Sequence, residues 1–193
     1  GINTPSFNGT KIKLIDLATR TSGLPSLPSN FNVDKEPPFG EYSTQSLYEY
    51  LNSYQLTRSS GKKIEYSNVG IGLLGLILSQ NTHKPYSELL NIYIYTPLKL
   101  KNTFILSKDL LKKPNLATGY EDGKVADYWT WTEDSALAPA GGLVSSGEDL
   151  LHFLSAQFDS KQSIKWRNAV VNSRASLKQK EDGSGSLGLG WNI

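Results

Sequence analysis

The chain has 193 residues, enough for one domain whose core buries about 70% of the surface that the unfolded chain exposes. Its 20 Lys and Arg against 18 Asp and Glu give a net charge of +2, too small to indicate nucleic acid or an anionic membrane as a partner. Cysteine is absent and His83 and His152 are the only histidines, so the sequence predicts neither a disulfide framework nor a metal site.

The first third of the chain predicts two helices separated by a long loop. Thr10 is the candidate N-cap of a short helix over residues 12–18. Residues 25–40 are rich in proline and in asparagine or aspartate, so we expect a loop, and loops of this length in compact domains are often functional. Ser43 is predicted to cap the second helix, whose apolar face is formed by Leu47, Tyr48, Leu51 and Tyr54.

Residues 65–78 (EYSNVGIGLLGLIL) are the only stretch in which a polar triplet runs directly into a long apolar segment. The uncharged part is much shorter than the roughly 20 residues that cross a bilayer, so it predicts a buried central helix. We expect this helix to begin within two residues of Asn68 and to run to about Gln80, with Ser67 or Asn68 as its cap.

The same stretch contains G-x-G-x-x-G at residues 70–75, which leaves a nucleotide-binding protein as a remote alternative. That motif requires a buried parallel strand immediately before it. Here the preceding residues 60–68 contain Ile64 as their only aliphatic side chain. We therefore expect no nucleotide and no other cofactor.

The triplet Tyr66-Ser67-Asn68 has two interpretations. In the first, it is a helix cap preceded by a packed aromatic side chain, which suffices to explain Ser and Asn at a helix start. In the second, it is catalytic: the Tyr66 phenol relays a proton beside a cation, and the Asn68 amide donates to a substrate carbonyl. The triplet alone does not decide between them.

The second half of the chain adds helices and one hairpin. Helical spacing from Tyr86 to Ile94 predicts a helix that Pro97 stops, and Asp122-Gly123 predicts a small two-stranded flap. Residues 145–148 (SSGE) form a capping box before a helix whose apolar face is Leu150, Leu151, Leu154 and Phe158. A further helix is predicted over residues 166–173, then a polar linker over 178–186, and a beginning strand over 187–193. The predicted fold class is mainly α with a small β-hairpin (α+β), in one helical domain over residues 1–193.

Three blocks of sequence resemble the serine β-lactamase and penicillin-binding family, in its branch of class C β-lactamases, D-alanyl-D-alanine carboxypeptidases and esterases. Residues 12–25 (IKLIDLATRTSGLP) are similar to that branch's I-T-L-x-x-L-L-x-H-T-S-G-L-P segment. The other two blocks are Tyr66-Ser67-Asn68 with its Gly-Leu helix and residues 140–150 (AGGLVSSGEDL). Their order and spacing match the family as well. Arg20 stands where the branch commonly has histidine, and Gly141-Gly142 is more like the peptidase and esterase relatives.

The resemblance implies that the chain is the helical domain of the β-lactamase/transpeptidase-like fold and lacks most of its α/β sheet domain, with residues 187–193 entering a sheet strand. It assigns the proton relay to Tyr66 and substrate binding to Asn68. The family's S-x-x-K nucleophile and its K-T-G or H-x-G strand have no match here. Ser59 and Ser60 satisfy S-x-x-K only as a pattern, at a place where family order does not put the nucleophile. We expect the nucleophile to lie outside this chain, which starts without Met and resembles a piece of a longer protein.

These expectations define a serine acyl-transfer hydrolase whose complete form acts through an acyl-enzyme. Its expected partners are a β-lactam, a peptidoglycan stem peptide or a small ester, together with the remainder of its own parent chain. The resemblance implies a periplasmic or extracytoplasmic location. A non-catalytic domain that binds peptidoglycan-type peptides is the alternative.

Overall fold

The computed structural model describes residues 3–32 and 39–193. The longest helix of these residues is α3, Asn68–Thr82. The remaining α-helices are α1 (Leu14–Ala18), α2 (Thr44–Ser53), α4 (Tyr86–Leu90), α5 (Thr96–Leu98), α6 (Ala138–Gly141), α7 (Gly147–Ala156) and α8 (Ile164–Ser173). No helix of the described residues is long and apolar enough to cross a membrane.

The strands of the described residues are short and form four two-stranded antiparallel sheets. The pairs are β1 (Ser6–Phe7) with β2 (Thr10–Lys11), β3 (Phe104–Ile105) with β6 (Leu143–Val144), β4 (Gly119–Glu121) with β5 (Lys124–Ala126), and β7 (Lys178–Gln179) with β8 (Ser186–Leu187). The mainly helical fold class is therefore confirmed. The predicted flap is the β4–β5 hairpin, in which Asp122 and Gly123 both have positive φ, as a type I′ turn requires.

Helix α3 follows the sequence prediction closely. The Ser67 hydroxyl caps it by accepting a hydrogen bond from the Gly70 N–H at 2.8 Å. At the other end His83 adopts φ 54°, and the Lys84 N–H closes the last turn on the Ser79 carbonyl at 3.2 Å. The first half of the helix is buried, in a core that also contains Leu17, Leu24, Leu47, Tyr50, Leu51, Trp131 and Leu137.

The glycines of α3 allow close packing and do not form a nucleotide loop. A Cβ at Gly72 would lie 2.3 Å from the Ala136 carbonyl oxygen, and one at Gly75 would lie 2.3 Å from Pro139 Cγ. All of residues 70–75 lie inside the helix, and residues 60–67 directly before it form no strand. The G-x-G-x-x-G interpretation is therefore wrong, because these glycines let the segment that leads into α6 approach the helix.

The start of the chain differs from the prediction. Thr10 does not cap a helix, because it lies in β2 and pairs with Phe7 across the Asn8-Gly9 turn. Helix α1 begins later, after Lys13, whose N–H donates to the Asp16 carboxylate at 2.8 Å. An Asn-Gly pair is a strong hairpin signal, and here it outweighs the capping potential of Thr10. Within the predicted loop 25–40, residues 33–38 lie outside the described part.

Ser43 caps α2 as predicted, and its hydroxyl accepts from the Ser46 N–H at 3.1 Å. Pro97, by contrast, does not stop the helix that begins at Tyr86. A π-helical turn, Asn91–Tyr95, follows α4, and α5 continues through Pro97 to Leu98. The helix ends at Lys99, which has φ 57°. Pro97 lies in the first turn of α5, where its missing N–H removes no hydrogen bond within α5. The π-helical turn before α5 is wider than an α-helical turn and accommodates the proline ring.

Helix α7 begins one residue later than the predicted capping box. Ser146 is the N-cap, and its hydroxyl accepts from the Asp149 N–H at 3.2 Å. Helix α8 confirms the further helix predicted around residues 166–173. The predicted linker 178–186 instead contains β7 and the start of β8, which pair across a tight turn. Residues 186 and 193 then exchange backbone hydrogen bonds of 2.9 and 2.8 Å.

Candidate functional site

The three residues of the polar triplet have different environments at the start of α3. Ser67 is 4% exposed, and its hydroxyl donates to the Pro25 carbonyl at 2.7 Å while it caps the helix. Its hydrogen-bonding capacity therefore stabilises the fold. Tyr66 is 59% exposed and Asn68 is partly exposed. Within the described residues, neither side chain makes a hydrogen bond, so both polar groups are available to a ligand.

Backbone hydrogen bonds hold this triplet against residues 20–26. The Glu65 N–H donates to the Arg20 carbonyl at 2.8 Å, and the Asn68 N–H donates to the Ser26 carbonyl at 3.2 Å. These hydrogen bonds, one before and one after Tyr66, connect the triplet to the end of the first block of the resemblance (residues 12–25) and the residue after it. The chain enters α3 along a path fixed by tertiary contacts as well as by the helix cap.

Tyr66 and Asn68 line one cleft of about 180 Å³. The other lining residues are Phe39, Trp129, Trp131, Leu137, Ala140 and Gly141. The last three come from α6 and the residue before it, which pack on the glycine face of α3. Ala140 and Gly141, from the third block of the resemblance, therefore line the same cleft as Tyr66.

The aromatic wall is held by contacts between distant parts of the chain. The Phe39 ring lies 4.7 Å from the Trp129 ring and 6.4 Å from the Trp131 ring, measured between centres. The Phe39 carbonyl accepts from the Ser135 hydroxyl at 3.1 Å, and the Trp131 N–H donates to the Leu106 carbonyl at 2.8 Å. Sequence analysis did not place these three aromatic residues in the site, because their proximity depends on tertiary pairing.

Charged groups beside the triplet come from residues 58–65 and from Arg20. Arg58 and Lys63 both bind the Glu65 carboxylate, and their hydrogen bonds lower the pKa of that group below its ordinary value. Arg20 places its guanidinium carbon 5.3 Å from the centre of the Tyr66 ring. It is thus a cation in contact with the predicted relay residue.

The S-x-x-K pattern at Ser59 and Ser60 lies in the loop before Tyr66 and not on a helix. Lys63 donates to Glu65 at 2.8 Å, so its ammonium is engaged in an ion pair. Within residues 3–32 and 39–193, no group of three or more His, Asp or Glu side chains is placed to hold a metal ion.

A family model described as Beta-lactamase matches residues 4–193, and the chain belongs to this family. The resemblance found in the sequence is thereby confirmed. The assignments of Tyr66 as the relay and Asn68 as the substrate ligand remain predictions.

Individual relatives agree with the family match. The chain is 28% identical over 198 residues to a β-lactamase of Yersinia enterocolitica, covering 98% of this chain and 47% of that protein. It is 27% identical over 203 residues to the D-alanyl-D-alanine-carboxypeptidase/endopeptidase AmpH of Escherichia coli, covering 99% and 50%. The chain thus spans about half the length of the curated relatives it matches.

A crystal structure of a β-lactamase/D-alanine carboxypeptidase from Yersinia pestis superimposes with a TM-score of 0.77 at 28% identity. The superposition covers 100% of this chain and 56% of that one. The fold is therefore the β-lactamase/transpeptidase-like fold, as predicted.

Proposed function

We propose that this chain is the helical part of a serine acyl-transfer hydrolase acting on D-Ala-D-Ala peptides, β-lactams or small esters. Tyr66 relays the proton of the nucleophile, and Asn68 binds the substrate carbonyl and orients the lysine of the nucleophile motif. The serine of S-x-x-K and the K-T-G or H-x-G strand lie outside these residues. The parent protein works outside the cytoplasm.

One observation carries this proposal: Tyr66 and Asn68 line the same cleft with no hydrogen-bond partner among the described residues, while Ser67 between them is fully engaged. A capping role accounts for Ser67 but gives no reason for two free polar groups beside it. A phenol and an amide at one cleft are suited to proton transfer and carbonyl binding.

Intact-mass spectrometry with a labelled penicillin tests the proposal. The parent chain with both flanking sequences should form a covalent adduct with penicillin, or hydrolyse nitrocefin or a p-nitrophenyl ester. The 193-residue chain should do none of these, because it has no nucleophile in the expected position. A stoichiometric adduct on the isolated chain at Ser59 or Ser60 would contradict the assignment of the nucleophile.

The rival is a non-catalytic domain that binds peptidoglycan-type peptides. A parent that binds a D-Ala-D-Ala peptide in titration calorimetry, yet neither forms an acyl adduct with any of the three reagents nor hydrolyses any of them, would establish the rival and exclude the hydrolase.

A further inference from the structure

A second cavity lies between β3, the start of α7 and the loop of residues 113–119. It measures about 720 Å³, within the range of about 300–1,000 Å³ that is typical of sites for small molecules. None of the described residues that line it also lines the Tyr66 cleft. The chemistry of this cavity therefore has to be worked out from its own walls.

One wall of the cavity is apolar and comes from the paired strands β3 and β6. Phe104 and Leu106 are two positions apart in an extended segment, so their side chains lie on one face of it. Phe104 is paired with Val144 across the sheet, and Val144 also lines the cavity. This wall offers a ring and two aliphatic side chains to the apolar body of a ligand.

A second wall is the loop of residues 113–119, which Tyr128 ties to the rest of the cavity. The Tyr128 phenol donates to the Ala117 carbonyl at 3.1 Å, and both residues line the space. At the start of β3, the hydroxyls of Thr103 and Ser145 lie 2.8 Å apart and join this segment to the end of β6. Side-chain hydrogen bonds thus hold two walls of the cavity.

Lys113 is the only charged side chain among the described residues that line the cavity. Its ammonium nitrogen lies 4.5 Å from the centre of the Phe104 ring, so the positive charge is placed at the apolar wall. Within residues 3–32 and 39–193, Lys113 makes no ion pair. Its charge is therefore available to an anionic group of a ligand whose body contacts Phe104.

The part of the cavity lined by Asn102 and Ser146 suits a neutral group. The Asp149 carboxylate lies directly behind it, because it accepts from the Asn102 N–H at 2.7 Å while the Asp149 N–H donates to the Ser146 hydroxyl at 3.2 Å. Asp149 is 2% exposed, so its negative charge is poorly screened and repels a second anion there. The cavity therefore fits one negative charge, at Lys113.

We propose that this cavity binds a small organic monocarboxylate, with its carboxylate at Lys113 and its apolar body against Phe104, Leu106 and Val144. The cavity selects such an acid over the neutral amide of the same shape. This inference goes beyond the proposed function and does not rest on it, because the two sites share no described lining residue.

The first test measures the charge requirement in the parent chain, with p-fluorocinnamate and p-fluorocinnamide titrated against it and the fluorine resonance of each probe followed. The acid should bind about two- to fivefold more tightly than the amide, the range expected for an exposed ion pair. Lys113→Gln should abolish this preference, and because Lys113 is exposed the variant should stay folded. Lys112→Gln is the matched control, since Lys112 is an exposed neighbour that does not line the cavity. It should keep the preference of the wild type.

The second test locates the bound acid and needs no catalysis. The photoreactive acid p-benzoylbenzoate should label residues 102–119 or 144–146 of the parent on irradiation, as mapped by peptide mass spectrometry. Excess p-fluorocinnamate should protect these residues. Ala117→Trp, which replaces a small exposed lining residue by a large one, should reduce the labelling.

The outcomes decide this inference separately from the proposed function. Equal binding of acid and amide to the wild type, or equal effects of Lys113→Gln and Lys112→Gln, would overturn it. Labelling confined to the Tyr66 cleft would overturn it as well. A parent that hydrolyses no ester or β-lactam, yet binds the acid through Lys113, would lose the hydrolase and keep the carboxylate site.

Discussion

The guanidinium carbon of Arg20 lies 5.3 Å from the centre of the Tyr66 ring, within the range of a cation–π contact. Arg20 also adopts φ 58°, a left-handed conformation that is uncommon for residues other than glycine, asparagine and aspartate. The strained backbone places the side chain over the ring. This contact gives a structural role to a residue whose presence the sequence left unexplained.

Arg20→Asn should separate the stability of the fold from the function of Tyr66. Asparagine tolerates the left-handed conformation, so the melting temperature of the chain should not fall, while the ring loses its cation. Because the Arg20–Tyr66 contact is worth about 0.5–1 kcal/mol, acylation of the parent should be about two- to fivefold slower in Arg20→Asn than in wild type. Stopped flow with a chromogenic ester measures this rate. Arg20→Lys, which keeps a cation, should retain more of the rate. An equal loss in both variants would contradict the cation–π role.

Tyr66→Phe in the parent should slow acylation by about 10²–10⁴-fold, the usual contribution of a general acid or base. Asn68→Ala should raise KM as well as lower kcat, because the role proposed for the amide is to contact the substrate both before and during reaction. Tyr120→Phe is the matched control, since Tyr120 is 67% exposed on the hairpin away from the cleft. Equal rates for the Tyr66 and Tyr120 variants would remove Tyr66 from the mechanism.

Gly72→Ala should destabilise the chain although alanine is the better helix former by about 1 kcal/mol. The new Cβ would lie 2.3 Å from a backbone carbonyl oxygen, which moves less readily than a side chain. Overpacking of this kind costs about 1–3 kcal/mol or more, so the urea midpoint should fall. Gly147→Ala should leave the midpoint unchanged or raise it. A stable Gly72→Ala chain would show that α6 does not pack on α3 this closely.

Asp149→Asn tests a buried acid that joins α7 to residues 101–103. Burial alone would raise the pKa of the Asp149 carboxyl, but hydrogen bonds from the Thr103 hydroxyl and the N–H groups of Asn102 and Lys101 hold this pKa below its ordinary value. A lowered pKa in the folded state means that the carboxylate stabilises the fold above about pH 4 and that this stabilisation is lost as the pH falls through the folded-state pKa.

At pH 7, Asp149→Asn should therefore lower the free energy of unfolding by about 1–3 kcal/mol, and the difference from wild type should shrink below about pH 4. Denaturant unfolding at several pH values measures both. Glu148→Gln, at the exposed neighbouring position, should show a small difference at all pH values. A gap between wild type and Asp149→Asn that is independent of pH would exclude the proposed ionised network.

The elements that sequence reasoning predicted correctly are those whose signals are local. The Ser67 cap with its uncharged run and the Asp122-Gly123 turn each specify their structure within a few residues. The β3–β6 pairing joins residues about 40 positions apart, and no local pattern reports it. The predicted apolar face of α7 illustrates another limit, because Leu150, Leu151, Leu154 and Phe158 are 48–79% exposed. Periodicity identifies an apolar face but does not identify what covers it.

The site likewise contains residues that local sequence patterns identify and residues that only the tertiary structure identifies. Tyr66 and Asn68 are only two positions apart in sequence, and the triplet with its flanking blocks was enough to select them. Phe39 and Trp129 are distant in sequence, and they meet because Thr132 and Ser135 bind the backbone at Gly40 and Phe39. The candidate pair was therefore visible in the sequence, while the aromatic residues that line the cleft with it required the fold.

The two backbone hydrogen bonds that flank Tyr66 also bear on how this region opens. The amides of Glu65 and Asn68 are both tied to residues 20–26, so neither can exchange with solvent unless the entry to α3 separates from that segment. Segments that open together behave as one cooperative unit, whose opening free energy approaches that of the element it is packed on. Tyr66 thus combines an exposed ring with a backbone that is tied down on both sides. We expect the amides of Glu65 and Asn68 to exchange with solvent more slowly than those at the tips of the hairpins.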